Sequence, residues 1–197
     1  IMKKRILSLL LIVLVVLGSV SAGLVSAADT IVNALSDTGK GTSTDPYIIS
    51  DYESFKTYLL TDKSYSSKTY FKFTADIAVP ADESLTGNYT LGNAEIDGAG
   101  HTVSGIKLSN APLYKSVSGS AVRRLNFKDC SAVYSDTAIE NCAFFADEIS
   151  KNSFVTSCRF DNVNVTVSDR ENANVATVAV NNAGYITNCV VKSGTLS

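Results

Sequence analysis

The chain has 197 residues, of which 45% are hydrophobic and 18% are charged, so it can bury the core of one domain and disorder is disfavoured. Its 17 basic and 19 acidic residues give a formal net charge of -2. Three of the basic residues and none of the acidic ones lie within positions 1–27, which leaves 14 basic against 19 acidic residues in the rest. That acidic balance disfavours nucleic acid or an anionic membrane as the partner.

The N-terminal segment is typical of a secretory leader. A basic triplet at residues 3–5 precedes an apolar run at residues 6–20, and Ala22 and Ala27 each end a Val-Ser-Ala motif suited to cleavage. We therefore predict a signal peptide at residues 1–27 and a secreted or cell-surface protein. An uncleaved membrane anchor is the alternative, which the run disfavours because it is shorter than the roughly 20 residues that span a bilayer.

The next segment, residues 28–45, is rich in Thr, Ser, Gly and Asp and ends at Asp45-Pro46. This composition predicts a flexible segment followed by a turn, leading into a folded domain at residues 46–197. Tyr47-Ile48-Ile49 is a short strand candidate.

An amphipathic helix is predicted at about residues 51–61. Ser50 and Glu53 have the spacing of a capping box, in which the two side chains satisfy the first free amides of a helix. The aromatic and aliphatic residues that follow fall on one helical face: Tyr52, Phe55, Tyr58 and Leu59. A helix at this position would cover the open apolar end of a stack of strands.

The stretch after the helix has β-strand character. Residues 61–68 are polar and predict a loop, whereas residues 70–79 combine β-branched and aromatic residues and predict a strand that ends at Pro80. Residues 80–90 predict a polar turn. Residues 94–103 predict two strands joined by a corner that contains two glycines.

The second half of the chain repeats one short pattern: an apolar residue, two polar residues, an apolar residue, a polar residue and an apolar residue. Copies begin at Val103, Val122, Ile139, Val155 and Ile186. Because the apolar positions keep one phase, each copy predicts the same inward-facing strand stacked on the previous one, which is typical of a solenoid. The unequal spacing of the copies suggests coils of variable length, with a longer coil or two short ones before Ile186.

These elements resemble right-handed parallel β-helix surface proteins of bacteria and archaea. The resemblance is carried by Gly41-Thr-x-x-Asp-Pro-Tyr-Ile-Ile49, Tyr70-Phe-Lys-Phe-Thr-Ala-Asp-Ile77 and Ile96-Asp-Gly-Ala-Gly-His-Thr-Val-Ser-Gly-Ile106. Residues 175–189 are similar to the GLUG repeat of adhesin-like members, although Ala176, Thr177 and Ala179 stand where that repeat has glycines. The resemblance implies an all-β, right-handed parallel β-helix (solenoid) with a short N-terminal capping α-helix, and a cell-adhesion role.

Four cysteines occupy apolar positions of the pattern. Cys142, Cys158 and Cys189 share the place that Leu125 holds in an earlier copy, and Cys130 follows Phe127 as Val163 follows Phe160. We expect buried thiols that form no disulfide, because the Cβ separation that a disulfide prefers, about 3.8 Å, is shorter than a regular ladder provides. A disulfide between neighbouring coils remains the alternative. No Cys pair has the spacing of a metal site, and the single His is far away in sequence.

The last residues, 192–197, follow a predicted strand without a capping element or a sorting motif. A repeat stack needs a cap at its end, so we expect the chain to continue beyond Ser197.

Several polar residues are candidates for an enzyme active site. An acidic or neutral polysaccharide could be cut by carboxylates that act as acid and base or hold Ca²⁺, or by a basic side chain. The candidates are Asp76, Glu95, Asp97, His101, Arg123, Arg124, Lys128, Asp129 and Asp161. For each, a role in a turn or on a solvated outer face is favoured, so we assign no catalytic, cofactor-binding or metal-binding residue.

Other chemistry has less support. A serine hydrolase is disfavoured because the chain has one His and no Gly-x-Ser-x-Gly elbow. Four tyrosines could stack on sugar rings if several share a face, although packing in the core or at corners is favoured for each one: Tyr70, Tyr89, Tyr114 and Tyr134.

The sequence therefore predicts a secreted or surface-attached, adhesin-like β-helix that binds a host or matrix glycan or protein through its outward faces, without cofactors. The alternative is a carbohydrate-active β-helix enzyme, a polysaccharide lyase or glycoside hydrolase. A self-assembling surface-layer component is a third hypothesis.

Overall fold

A computed structural model of the protein describes residues 39–168 and 172–197. The predicted signal peptide, residues 1–27, and most of the predicted flexible segment lie outside the described residues. Lys40–Ser197 form one compact unit. In its described part, no helix is both long enough and apolar enough to cross a bilayer.

The described residues form one helix, α1 (Tyr52–Leu59), and seventeen strands. In chain order the strands are β1 (Tyr47–Ile49), β2 (Lys63–Phe73), β3 (Ile77–Ala78), β4 (Tyr89–Asp97), β5 (Thr102–Ser104), β6 (Lys107–Ser109), β7 (Tyr114–Ser118), β8 (Ala121–Arg123), β9 (Asn126–Tyr134), β10 (Asn141–Ala143), β11 (Ala146–Ile149), β12 (Phe154–Thr156), β13 (Arg159–Val167), β14 (Asn174–Ala176), β15 (Ala179–Asn182), β16 (Tyr185–Thr187) and β17 (Val190–Lys192). The prediction of an all-β protein with one short helix is confirmed.

The strands form three sheets, and every pairing between the described strands is parallel. Sheet A has the order β15-β11-β7-β4-β8-β12-β16, with β2 beside β4 and β1 beside β2. The long strand β4 pairs with both β7 and β8. Sheet B has the order β17-β13-β9-β5-β3, with β6 beside β9, and sheet C contains β10 and β14.

The chain returns to sheet A repeatedly and in register. Phe71, Ile96, Val122, Val155 and Ile186 are neighbours across successive strands of this sheet. Val122 therefore pairs with Val155, 33 positions later in the chain, and Ile139 lies between them in sequence. The predicted shorter coils, which place a new coil at every copy of the apolar pattern, are wrong.

The reason is that the same apolar pattern recurs on different sheets. Val103 lies in β5 of sheet B, where it pairs with Phe127, and Ile139 precedes β10 of sheet C. Every strand with one buried face needs the same spacing of apolar residues, so the pattern identifies strands without saying which sheet each one joins.

This also corrects the predicted column of Leu125, Cys142, Cys158 and Cys189. The register of β9, β13 and β17 makes Leu125, Cys158 and Cys189 successive neighbours. Cys142 instead lies in β10, opposite Val175. Cys130 does lie opposite Val163, as predicted.

Rows of apolar side chains fill the space between the sheets. Phe127 and Phe160 stack with ring centroids 5.3 Å apart, and Phe145 packs edge-on against both rings. Phe144 contacts Phe127 from sheet C's side of the core, and all four side chains are fully buried. This cluster lies where the three sheets face one another and buries a large apolar area.

Helix α1 covers one end of the core. Its residues Phe55 and Leu59 are buried, and Phe55 packs on Phe73 while Tyr58 stacks on Tyr47 of β1. The N-cap is Asp51, whose carboxylate accepts from the Ser54 amide at 2.8 Å, rather than the predicted Ser50. The predicted helix and its apolar face are confirmed, with a C-terminal end slightly earlier than expected.

Two local predictions were wrong. Strand β2 begins at Lys63 inside the predicted loop, and the predicted strand at residues 70–79 is interrupted at residues 74–76 before β3. The polar start of β2 is held by neighbours, because Lys63 and Ser64 pair with Leu91 and Gly92 of β4. Local composition does not record such pairing.

The end of the unit opposite α1 is more exposed. Strands β15, β16 and β17 each pair on one side only, and Tyr185, Val190, Val191 and Leu196 are about half exposed. The apolar pattern therefore continues into strands that are only partly covered.

Candidate binding groove

A groove of about 400 Å³ runs along the outer side of sheet A, near its α1 end. The residues that line it come from the loop before β1 and from strands β2, β4 and β8: Ser43, Thr44, Pro46, Tyr70, Phe71, Lys72, Glu95, Ile96, Asp97 and Arg123. We call this feature the sheet A groove.

Strand alternation brings its charged residues together. Phe71 and Ile96 are buried, so the residues immediately before and after each of them point outward. The register sets Tyr70 beside Glu95 on neighbouring strands. In the adjacent outward row, Lys72 pairs with Asp97, and Asp97 pairs with Arg123.

The wall opposite these strands is a hydrogen-bonded turn. The amides of Lys40 and Thr42 both donate to the Asp45 carbonyl, at 3.0 Å each. The Tyr70 amide donates to the Gly41 carbonyl at 3.0 Å, which attaches the turn to β2. Gly41 has φ +71°, and a Cβ there would approach the Tyr47 ring to 2.5 Å, so only glycine fits.

Glu95 is at the centre of an ion-pair network. Its Oε1 accepts from Lys68 Nζ at 2.7 Å and its Oε2 accepts from an Arg123 guanidinium nitrogen at 2.8 Å. Only 12% of the Glu95 side chain is exposed. Both carboxylate oxygens are therefore committed to cations.

Asp97 is at the centre of a second group of contacts. Its carboxylate accepts two hydrogen bonds from Arg124, from Nε at 3.0 Å and from Nη2, and a third from the Ala99 amide at 2.9 Å. Desolvation raises the pKa of Asp97, but the hydrogen bonds from Arg124 and Ala99 outweigh it and hold the pKa below its ordinary value. The side chain is thus a carboxylate at neutral pH, and it is poorly suited to donate a proton.

The local charge is opposite in sign to that of the domain. Four cations surround two carboxylates: Lys68, Lys72, Arg123 and Arg124 against Glu95 and Asp97. The side chains of Arg123 and Arg124 are 49% and 60% exposed, so their free donors face solvent. A local excess of exposed donors favours a negatively charged ligand.

The other candidates from the sequence are dispersed. Asp76 contacts His101 Nδ1 at 3.1 Å and accepts from the Thr102 amide at 2.9 Å, which ties the corner before β5 to the segment before β3. Lys128 lies 3.9 Å from Asp129 on the outer side of sheet B. These contacts serve corners and solvated faces.

Asp161 also lies on sheet B, away from the groove. Its carboxylate accepts from Ser193 Oγ at 2.9 Å and from Arg159 at 3.2 Å, and the Ser193 hydroxyl is the main cause of its lowered pKa. Asp161 thus links β13 to the chain segment after β17.

The four candidate tyrosines do not share one face. Tyr70 lines the sheet A groove, whereas Tyr114 and Tyr134 are buried, and the Tyr134 hydroxyl donates to the Ala143 carbonyl at 2.7 Å. Tyr89 packs partly against the core. Of these four, only Tyr70 presents a ring to the groove.

Sequence reasoning missed Lys68 and Lys72, and it predicted a turn near Asp45-Pro46 without placing that turn at a groove. Both lysines lie in β2. Lys72 stands between the apolar residues Phe71 and Phe73, which are buried, and this alternation could have identified it as an outward-facing residue. Pairing of Lys68 with Glu95, 27 residues away, depends on the register between strands and has no local signature. Across residues 39–168 and 172–197, no three His, Cys, Asp or Glu side chains are grouped as metal ligands.

Comparisons with known proteins bear on the fold only. No protein-family model matches the sequence, and no curated protein matches it. The chain is similar in structure to a candidate immunoglobulin A1 protease from Bacteroides ovatus, with a TM-score of 0.50 and 20% sequence identity. The similarity covers 78% of this chain and 58% of that protein, so this chain spans less than two thirds of it.

Proposed function

We propose that the unit at Lys40–Ser197 is a right-handed parallel β-helix and serves as a non-catalytic, adhesin-like binding module of a secreted or cell-surface protein. Support for the β-helix comes from the wholly parallel pairing and from the repeated return of the chain to sheet A in register. The leader-like residues 1–27 support secretion. The resemblance to GLUG-repeat proteins supports the adhesin-like role.

The ligand that best fits the sheet A groove is an acidic polysaccharide. The observation that carries this assignment is the excess of cations around Glu95 and Asp97 on an otherwise acidic domain. Exposed guanidinium donors of Arg123 and Arg124 suit uronate carboxylates, and Tyr70 offers a ring for stacking on a sugar. Glu95 and Asp97 hold these cations in place.

A carbohydrate-active enzyme is the second candidate, because two carboxylates share a groove with an aromatic ring. Glu95 and Asp97 are two positions apart on one face of β4, so both carboxylates point outward from Cα atoms about 7 Å apart. Against catalysis, Asp97 has a lowered pKa and both carboxylates are bound by cations. A general acid needs the opposite shift.

Titration calorimetry of the full chain with oligogalacturonate, and with a neutral galactan of the same length, tests the binding role. We expect a preference for the acidic glycan and a loss of about tenfold in affinity for Arg123→Gln, since a charged hydrogen bond contributes roughly 1.5–3 kcal/mol. Lys128→Gln removes a similarly exposed cation from sheet B and should leave the affinity unchanged.

Equal affinities for the two glycans, or equal losses in the two variants, would contradict the acidic-glycan assignment. The same mixtures are assayed for new reducing ends and for unsaturated sugar products. Their appearance with the native protein, and loss with Glu95→Gln, would favour the enzyme over the binding module.

A further inference from the structure

Cys158 and Cys189 lie one above the other at equivalent corners between sheets A and B. Each follows a residue with positive φ, Ser157 at +55° and Asn188 at +53°. The register of Arg159 with Val190 immediately after them makes the two cysteines neighbours. A hydrogen bond from the Val190 amide to the Cys158 carbonyl, at 3.0 Å, fixes this alignment.

The Cys158 and Cys189 thiols are close enough for each to shift the pKa of the other. Each thiol also donates to a backbone carbonyl, with Cys158 Sγ 3.6 Å from the Val122 oxygen and Cys189 Sγ 3.4 Å from the Val155 oxygen. The four described cysteines carry free thiols; those of Cys130, Cys142 and Cys158 are buried as predicted, whereas Cys189 is only partly buried because it lies beside the last, partly covered strands.

The corner removes the obstacle to a cross-link. A regular parallel ladder keeps neighbouring strands about 4.8 Å apart, which is long for the Cβ atoms of a disulfide. Cys158 and Cys189 lie between strands, after β12 and β16 have ended and before β13 and β17 begin. The ladder therefore does not hold their Cβ atoms at the sheet spacing.

The two thiols differ in reactivity. The hydrogen bond from Cys158 lowers the pKa of Cys189, which is only partly buried. The same hydrogen bond, followed by desolvation, raises the pKa of Cys158, which is 2% exposed. This pairing of a partly exposed thiol of lowered pKa with a buried thiol is the arrangement in which one cysteine attacks an oxidant and the other resolves the product.

We propose that Cys158 and Cys189 form a redox-active dithiol that a low-molecular-weight disulfide converts to an intramolecular disulfide joining the last two corners. The Cys189 thiolate attacks one sulfur of the oxidant, forms a mixed disulfide and releases the first thiolate. Cys158 then gives up its proton, attacks Cys189 Sγ and releases the second thiol. The protein loses two electrons and two protons, and the oxidant is reduced to two thiols.

The remaining corners and cysteines explain why this pair is specific. At the corner before Cys158, the equivalent position is Leu125, so the column holds only two thiols. Cys130 lies opposite Val163, and its thiol is buried with a pKa raised by desolvation to about 11. It has no neighbouring cysteine across the β9–β13 pairing.

The test uses the full chain reduced and then incubated with oxidised glutathione. After alkylation of remaining thiols under denaturing conditions, mass spectrometry without reductant should find one cross-link, between the peptides that contain Cys158 and Cys189. Cys130→Ser should give the same cross-link at the same rate. Cys158→Ser should instead accumulate a mixed disulfide of Cys189 with glutathione.

Cys189→Ser provides a second variant at a partly exposed position, in case Cys158→Ser fails to fold. It should block both the cross-link and any glutathione adduct on Cys158. The proposal is overturned if the native protein accumulates the mixed disulfide without a cross-link, if the cross-link joins other cysteines, or if both thiols remain fully open to alkylation.

Discussion

Phe127 and Phe154 provide a matched pair for measuring what holds the fold together. Both rings stack on an aromatic ring of the neighbouring strand: Phe127 on Phe160 at 5.3 Å and Phe154 on Tyr185 at 5.0 Å. Phe127 is 1% exposed at the centre of the core, whereas Phe154 is 38% exposed on the outer side of sheet A. Replacing each by Ala therefore separates the contribution of burial from that of stacking.

We expect Phe127→Ala to lower the free energy of unfolding by about 4 kcal/mol, within the range for a buried Phe that leaves a cavity. Phe154→Ala should lower it by about 1 kcal/mol, the contribution of an exposed aromatic pair. With a urea dependence of about 2 kcal/mol/M, the midpoints should fall by about 2 M and 0.5 M.

Urea titrations followed by circular dichroism measure both midpoints. Equal shifts, or a larger shift for Phe154→Ala, would refute the placement of Phe127 where the sheets meet. A change in the slope for one variant alone would also count against the comparison, because it indicates a different amount of surface exposed on unfolding.

Three further predictions concern a corner, a cap and the thiol pair. Gly98→Ala would place a methyl group 2.4 Å from the backbone of Arg124 and Leu125 at the next corner, so it should lower the free energy of unfolding, measured by urea titration, by about 2 kcal/mol. An unchanged urea midpoint would contradict this packing. Asp51→Ala removes the N-cap of α1 and should lower the free energy of unfolding, measured in the same way, by about 1 kcal/mol. Because the Ser54 amide lowers the Asp51 pKa below 3.8, the pH-dependent part of this difference should be complete above about pH 4 and shrink as pH falls through the lowered pKa; a constant difference from pH 2 to 7 would refute it. Joining Cys158 to Cys189 should stabilise the fold by about 4 kcal/mol and raise the melting temperature, whereas an unchanged melting temperature would contradict the loop-closure reasoning.

Some features could be predicted from local sequence because their physics is local. Strand character follows from β-branched and aromatic residues at alternating positions, and the helix follows from four apolar residues on one face. The equivalence of Cys130 with Val163 was also predictable, because each stands three positions after a phenylalanine on a strand of sheet B.

The candidate site could be predicted only in part, because its residues are local features of the sequence but their pairing is not. The sequence identifies Glu95, Asp97, Arg123 and Arg124 as polar candidates but predicts only turns and a solvated face for them. The ion pairs that Glu95 forms with Lys68 and Arg123 join residues 27 and 28 positions apart, so they depend on neighbouring strands lying in register. No local window contains both partners of these ion pairs.

By itself, the sequence determined that this is an acidic, all-β chain with a leader-like N-terminus, inward apolar rows and one short helix. The tertiary structure decided which copy of the apolar pattern joins which sheet, separating Cys142 from Cys158 and bringing Cys158 against Cys189. The physical reason is that alternation sets which face of a strand is buried, while its neighbours are chosen by the length and geometry of the corners between strands.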